Sequence, residues 1–71
     1  MFVKFETDEG FIHIETFQKI TTGVVDAKRY TEINGICVSS KYYNDYINAI
    51  EDAIISKRPM VDLTPEGMGI I

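Results

Sequence analysis

His13 is the only imidazole in the chain and Cys37 the only thiol, and these two residues bound the chemistry that the sequence can hold. Alternation along a strand sets His13 beside Glu15, and a hairpin pairing would bring Glu6 opposite it. An imidazole among carboxylates is raw material for a general base or a metal site. A metal, however, needs three or four converging ligands, and only carboxylates accompany this histidine. His13, Glu6 and Glu15 therefore read as a solvent-facing charge ladder. Cys37 falls within a strand just after a turn. A nucleophilic thiol needs a base or an electropositive pocket to lower its pKa. The one histidine belongs to a different hairpin, so Cys37 reads as an ordinary, half-buried thiol. Asp45 and the pair Glu51-Asp52 share the polar face of a helix, where carboxylates serve solvation. Gly67-Met68-Gly69 lacks the strand-to-helix setting that gives a glycine motif its phosphate-binding meaning. The sequence thus implies no catalytic residue, no metal and no cofactor, and the expectation is that the chain is not an enzyme.

The remaining candidates are surfaces. Tyr30, Tyr42, Tyr43 and Tyr46 crowd one stretch of the chain, and tyrosine suits both core edges and binding hot spots because it joins apolar area to a polar tip. Tyr42 sits off the centre of the helical stripe. Ile55 interrupts the polar face of the same helix. Met60, Leu63, Met68 and Ile70 make the C-terminal stretch unusually apolar. Tyr30, Tyr42, Ile55, Met60, Leu63, Met68 and Ile70 are therefore the candidate interface. An alternative set, Lys28, Arg29, Tyr30, Tyr42 and Arg58, could supply stacking and phosphate contacts to a nucleotide-like ligand.

These residues must be positioned by short elements. Phe2–Thr7 and Phe11–Phe17 alternate as two strands joined around Asp8-Glu9-Gly10, with Val3 and Phe5 meeting Ile12 and Ile14 on one face. The favoured register pairs Phe5 with Ile14, Lys4 with Glu15, Glu6 with His13 and Phe2 with Phe17. Gln18–Gly23 reads as a turn or bulge, and a third strand runs from about Val24 to Ile33 with a break near Asp26-Ala27-Lys28. Asn34-Gly35 is the strongest local signal, because a two-residue type I′ turn needs positive φ at both positions. It puts Ile33 opposite Ile36 and Thr31 opposite Val38 on the core side, leaving Tyr30, Glu32 and Cys37 on the other. Ser39 or Ser40 caps a helix expected over Lys41 to about Lys57, with Tyr43, Tyr46, Ile47, Ile50, Ala53 and Ile54 as its apolar stripe and Pro59 ending it. The fold expected is α+β: a small antiparallel sheet of two β-hairpins (β-β-β-β-α) with one amphipathic helix packed on it. Residues 1–58 form one domain, and residues 59–71 are a tail docked either on that domain or on a partner subunit.

A chain of 71 residues buries only about 60% of its unfolded surface, a marginal core. A disulfide or a structural zinc is ruled out by composition, so oligomerisation is the support still open, and a homo-oligomer or a stable protein complex is expected. The net charge of −4 argues against non-specific nucleic-acid binding, which depends on Lys and Arg neutralising phosphates. No apolar run reaches the roughly 18 residues of a membrane span. The N-terminal residues do not resemble a signal peptide, and one unpaired cysteine suits a reducing compartment, so a cytoplasmic location is expected.

The order of these elements resembles the FlbD-like group of small bacterial proteins. The residues that carry the resemblance are Phe2–Phe5, Gly10–Ile14, Thr31–Val38 with Asn34-Gly35, and Ser39–Ile54, about three-quarters of the chain. Asp26–Arg29 and the apolar stretch Met60–Ile71 depart from that pattern. The resemblance implies a two-hairpin, one-helix fold and an association with flagella, and similar short proteins are common in phage genomes. It assigns no catalytic or binding residue. The function expected is a non-enzymatic interaction protein, a homo-oligomer that binds and modulates another protein and is encoded by a phage or prophage, acting as an inhibitor in the host cytoplasm. The alternatives are a nucleotide-sequestering protein with a pocket between subunits, and a transcriptional or DNA-binding regulator.

Overall fold

The computed structural model describes Met1–Ile71. Six strands, a 3-10 turn and one helix follow in the order β1 (Phe2–Thr7), β2 (Gly10–Ile14), β3 (Ile20–Val25), β4 (Lys28–Ile33), β5 (Ile36–Val38), the turn Ser40–Tyr42, α1 (Tyr43–Ile55) and β6 (Met60–Asp62). The α+β class is as expected, but the strands form two three-stranded sheets, β2-β1-β6 and β3-β4-β5. The core lies between them and the helix: Val3, Phe5 and Val61 come from the first sheet, Ile33 and Val38 from the second, and Tyr46, Ile50 and Ala53 from α1, with Leu63 completing it.

In the first sheet the faces are those expected, while the register is two residues tighter. Phe5 pairs with Ile12 and Val3 with Ile14, in place of Phe5 with Ile14. The cause is the turn. Thr7 and Gly10 close the hairpin around Asp8-Glu9, Gly10 takes a φ of 119°, and the Thr7 hydroxyl both donates to Gly10 O and accepts from Glu9 N–H at 3.1 Å. A longer loop would have been needed for the wider register. The shift by two residues preserves the core face, because side chains alternate with period two. It does move the charges: Lys4 now faces His13, and Glu6 faces Phe11.

Strand β2 stops at Ile14 and does not run on to Phe17. The next backbone groups are engaged elsewhere, Phe17 N–H by Met1 O and the following amides by Asn34. Residues expected to form a turn, Ile20–Gly23, instead begin β3. The true turn is Asp26-Ala27, with φ of 51° and 62°, which is a second type I′ hairpin turn without glycine. Gly23 is tolerated inside β3 because the Tyr30 ring covers it. A Cβ at position 23 would lie 2.7 Å from Tyr30 Cε1, so the aromatic side chain fills the space that glycine leaves.

The Asn34-Gly35 turn has φ of 50° and 81°, and β4 and β5 pair Ile33 with Ile36 and Thr31 with Val38 as expected. Thr31 is fully buried, and its hydroxyl is 2.8 Å from that of Ser40. The helix starts later than expected. Ser39 caps the 3-10 turn by accepting from Lys41 N–H at 3.3 Å, and α-helical bonding begins at Tyr43. It also ends earlier, at Ile55, before Pro59 can act. Lys57 adopts φ 54°, and the bonds Lys57 N–H to Ile54 O and Arg58 N–H to Ala53 O form a Schellman closure. Of the stripe, Tyr46, Ile50 and Ala53 are buried, whereas Ile54 faces solvent.

The C-terminal stretch folds back on its own chain. Strand β6 runs parallel to β1, pairing Val3 with Val61, and is held at its ends by Phe2 N–H to Pro59 O and Leu63 N–H to Lys4 O. Leu63 is a core residue with 1% exposure, so its candidacy as a surface contact is withdrawn. No helix is long and apolar enough to cross a membrane.

Candidate functional site

A cleft of about 680 Å³ lies between the tip of the first hairpin and the start of α1. Its apolar lining comes from Ile12 of β2, Ile36 and Val38 of β5, and Tyr42 and Tyr46 at the helix start, with Pro65 and Ile71 of the C-terminal stretch beside them. The two isoleucines are there for a reason already visible in the ladders. The Phe5–Ile12 pair brings Ile12 to the core edge, and the Asn34-Gly35 turn brings Ile36 back opposite Ile33, so that it too packs against the core. Tyr42 and Tyr46, one helical turn apart, stack edge-to-face with centroids 6.3 Å apart. The rim carries one sign of charge, from Glu6, Asp8 and Glu9. Lys41 lies outside this rim, its Nζ 5.5 Å from the Tyr42 ring centre. Burial raises the Tyr46 phenol above its ordinary pKa, and Tyr42, Glu6 and Asp45 add to that through their charges. Tyr46 is thus a neutral phenol at any physiological pH.

Cys37 also lines this cleft and is exposed, not half-buried as its strand position suggested. Its ladder partner is Glu32. His13 takes no part in the cleft. It stands on the outer face of the first sheet, in a row that crosses three strands as His13, Lys4 and Asp62. Its ring is tilted against Phe2 at 5.5 Å, and Lys4 Nζ lies 5.1 Å from the Phe11 ring centre. The expected grouping of His13 with Glu6 is undone by the register, and no group of three or more His, Cys, Asp or Glu side chains converges as a metal site would require.

A second, shallower groove of about 540 Å³ separates α1 from β6 and its following turn. Asp45 and Asp52 line it from the helix, Arg58 and Met60 from the strand side, and Met68 from the turn. Arg58 is committed to an ion pair with Asp52. At the end of β6, Asp62 accepts from both the backbone N–H and the hydroxyl of Thr64, at 2.9 and 2.6 Å, and Thr64 in turn accepts from Gly67 N–H. Burial alone would raise the Asp62 carboxyl. The two Thr64 bonds and the positive charges of Lys4 and His13 outweigh it and hold the group below its ordinary value.

The structure divides the candidate interface set. Tyr42 belongs to the first cleft, Met60 and Met68 to the second groove, Tyr30 to the cover over Gly23, and Leu63 to the core. Ile55 and Ile70 are exposed. The ligand-contact set is also divided: Tyr42 and Arg58 line different grooves, and neither groove is lined by Lys28, Arg29 or Tyr30. Sequence reasoning overlooked Ile12, Ile36 and the acidic rim as parts of one site, because the approach of the first hairpin to β5, made through β1, is long-range. It also overlooked Val24 and Val25, both exposed. Recognising Asp26-Ala27 as a turn would have revealed them as the end of a projecting hairpin. Comparison with family models, curated proteins and solved structures finds no match for the chain.

Proposed function

We propose that this chain is a non-enzymatic interaction protein that self-associates and binds a segment of another protein in the cleft between β2, β5 and α1. The observation that carries the reading is the pairing of an apolar, aromatic floor with a rim of one charge. Tyr42, Tyr46, Ile12 and Ile36 can receive a large apolar side chain, while Glu6, Asp8 and Glu9 favour Lys or Arg beside it. The partner segment is thus basic and carries an apolar anchor. The cleft's one thiol faces Glu32 across the ladder, and the imidazole lies on another face. The phage-encoded inhibitor expected from the sequence fits this reading, since such a protein acts by occupying a surface.

A peptide array probed with the labelled protein tests it. Enrichment of peptides with a bulky apolar residue flanked by Lys or Arg is expected, lost with Tyr42→Ala and weakened by Glu9→Lys. No enrichment, or enrichment indifferent to both substitutions, would overturn the assignment of the cleft.

A further inference from the structure

Strand β3 is an unprotected sheet edge. Each sheet has two outer strands, β2 and β6 in one and β3 and β5 in the other. Strands β5 and β6 are three residues long, too short to template a partner, and β2 carries His13 and is followed by Glu15. Strand β3 is six residues, Ile20–Val25, with no charge and no proline. Proteins ordinarily blunt such an edge with lysine, proline, a bulge or a covering segment. Every residue from Val24 to Arg29 is exposed, so this end of the β3–β4 hairpin stands clear of the core and nothing shields it.

The ladder fixes which backbone groups are free. Across the two-residue turn Val25 and Lys28 form a hydrogen-bonded pair, and in an antiparallel ladder such pairs recur at every second residue. Val25, Gly23 and Thr21 therefore point their N–H and C=O groups at β4. The bond from Asn34 N–H to Lys19 O extends the same parity. Ile20, Thr22 and Val24 point theirs outward, and these three positions are symmetric about Thr22.

We propose that β3 pairs antiparallel with β3 of a second copy about a two-fold axis at Thr22, joining two three-stranded sheets into one of six. The proposal rests on the self-association half of the function above and names its surface. In this register Ile20 faces Val24 of the other copy, Thr22 faces its counterpart, and each of the outward N–H and C=O groups finds a partner. No other symmetric register satisfies all of them. Val24, 65% exposed in the single chain, is then covered by Ile20 of the other copy.

Light scattering coupled to size exclusion, at micromolar concentration, tests the pairing with two variants. Val24→Lys places a charge on the edge at an already exposed position. It is expected to give a folded monomer whose melting temperature no longer rises with concentration, as that of a dimer does. Cys37→Ser/Thr22→Cys puts one thiol from each copy at the axis, where hydrogen-bonded positions stand about 5.5 Å apart, within disulfide reach. Mild oxidation is expected to yield a covalent dimer of native stability. A wild-type dimer that survives Val24→Lys and does not cross-link through Thr22→Cys would overturn the β3 pairing while leaving self-association standing. A wild-type monomer would overturn both. The cross-linking arm decides the matter even if Val24→Lys fails to fold.

Discussion

Asn34 Oδ1 accepts the backbone N–H of Gln18 at 2.8 Å across sixteen positions of sequence. The same oxygen accepts Lys19 N–H at 3.1 Å, and the amide nitrogen donates to Thr16 O at 2.8 Å. One side chain therefore satisfies three backbone groups of the crossing from the first sheet to the second. It does so from a turn whose backbone requires a residue tolerant of positive φ, which asparagine is.

Replacing Asn34 separates those two roles. Asn34→Gly keeps the turn conformation and removes the three bonds, each contributing about 0.5–1.5 kcal/mol. The expected loss is about 1.5–4.5 kcal/mol in urea unfolding. Asn34→Ala adds the cost of a Cβ at positive φ, about 1–2 kcal/mol, and should be the worse of the two. Equal stabilities for the two variants would show that the turn backbone carries no strain.

Gly35→Val probes the same turn from its second position. At φ 81° a β-branched side chain is in a region that sterics forbid almost entirely. A stability loss of at least about 2 kcal/mol is expected, on the same scale as other strained backbone positions. Calorimetry gives the comparison directly, and an unchanged midpoint would contradict the type I′ geometry.

Acid should weaken the fold through Asp62. Its folded pKa lies below the ordinary carboxyl value of 3.8, so at low pH the unfolded chain takes up a proton before the folded one does. The contribution is complete well above that value and falls away as pH drops through it toward the folded pKa. Asp62→Asn should be less stable than wild type at neutral pH, and the difference should shrink on acidification below about pH 4. Urea midpoints measured from pH 7 to pH 2.5 provide the check; a constant difference would remove the linkage.

Gly67 lies against the same carboxylate. A Cβ there would collide with the Asp62 side chain, so Gly67→Ala must displace Asp62 from Thr64. The expected result is a loss of stability at neutral pH that is largely absent when Gly67→Ala is made in an Asp62→Ala background. Additive losses in that double-mutant cycle would refute the contact.

Lys57 holds the helix closure at φ 54°, a conformation that costs a non-glycine residue about 1–2 kcal/mol. Lys57→Gly should raise stability by up to about 1 kcal/mol after the larger backbone entropy of unfolded glycine is counted. A lower melting temperature would mean that the Lys57 side chain makes a compensating contribution.

Local signals settled a good part of this molecule. Asn-Gly fixed a turn, a register and the faces of β4 and β5, because a two-residue loop leaves one way to pair its strands. Alternation fixed the core faces of β1 and β2, but not their register, since two registers two residues apart bury the same side chains and only the Thr7 turn bonds distinguish them. The α+β class and the buried helical positions Tyr46, Ile50 and Ala53 were likewise written in periodicity. Tertiary structure decided the rest. Whether Met60–Asp62 would pair with β1 depended on an open edge that no local pattern announces. Ile54, at the margin of the apolar stripe, was left in solvent while Tyr46, Ile50 and Ala53 face the core. The cleft joins residues from β2, β5 and α1 that are far apart in sequence, and burial and charge acquire meaning there only once long-range packing has brought them together.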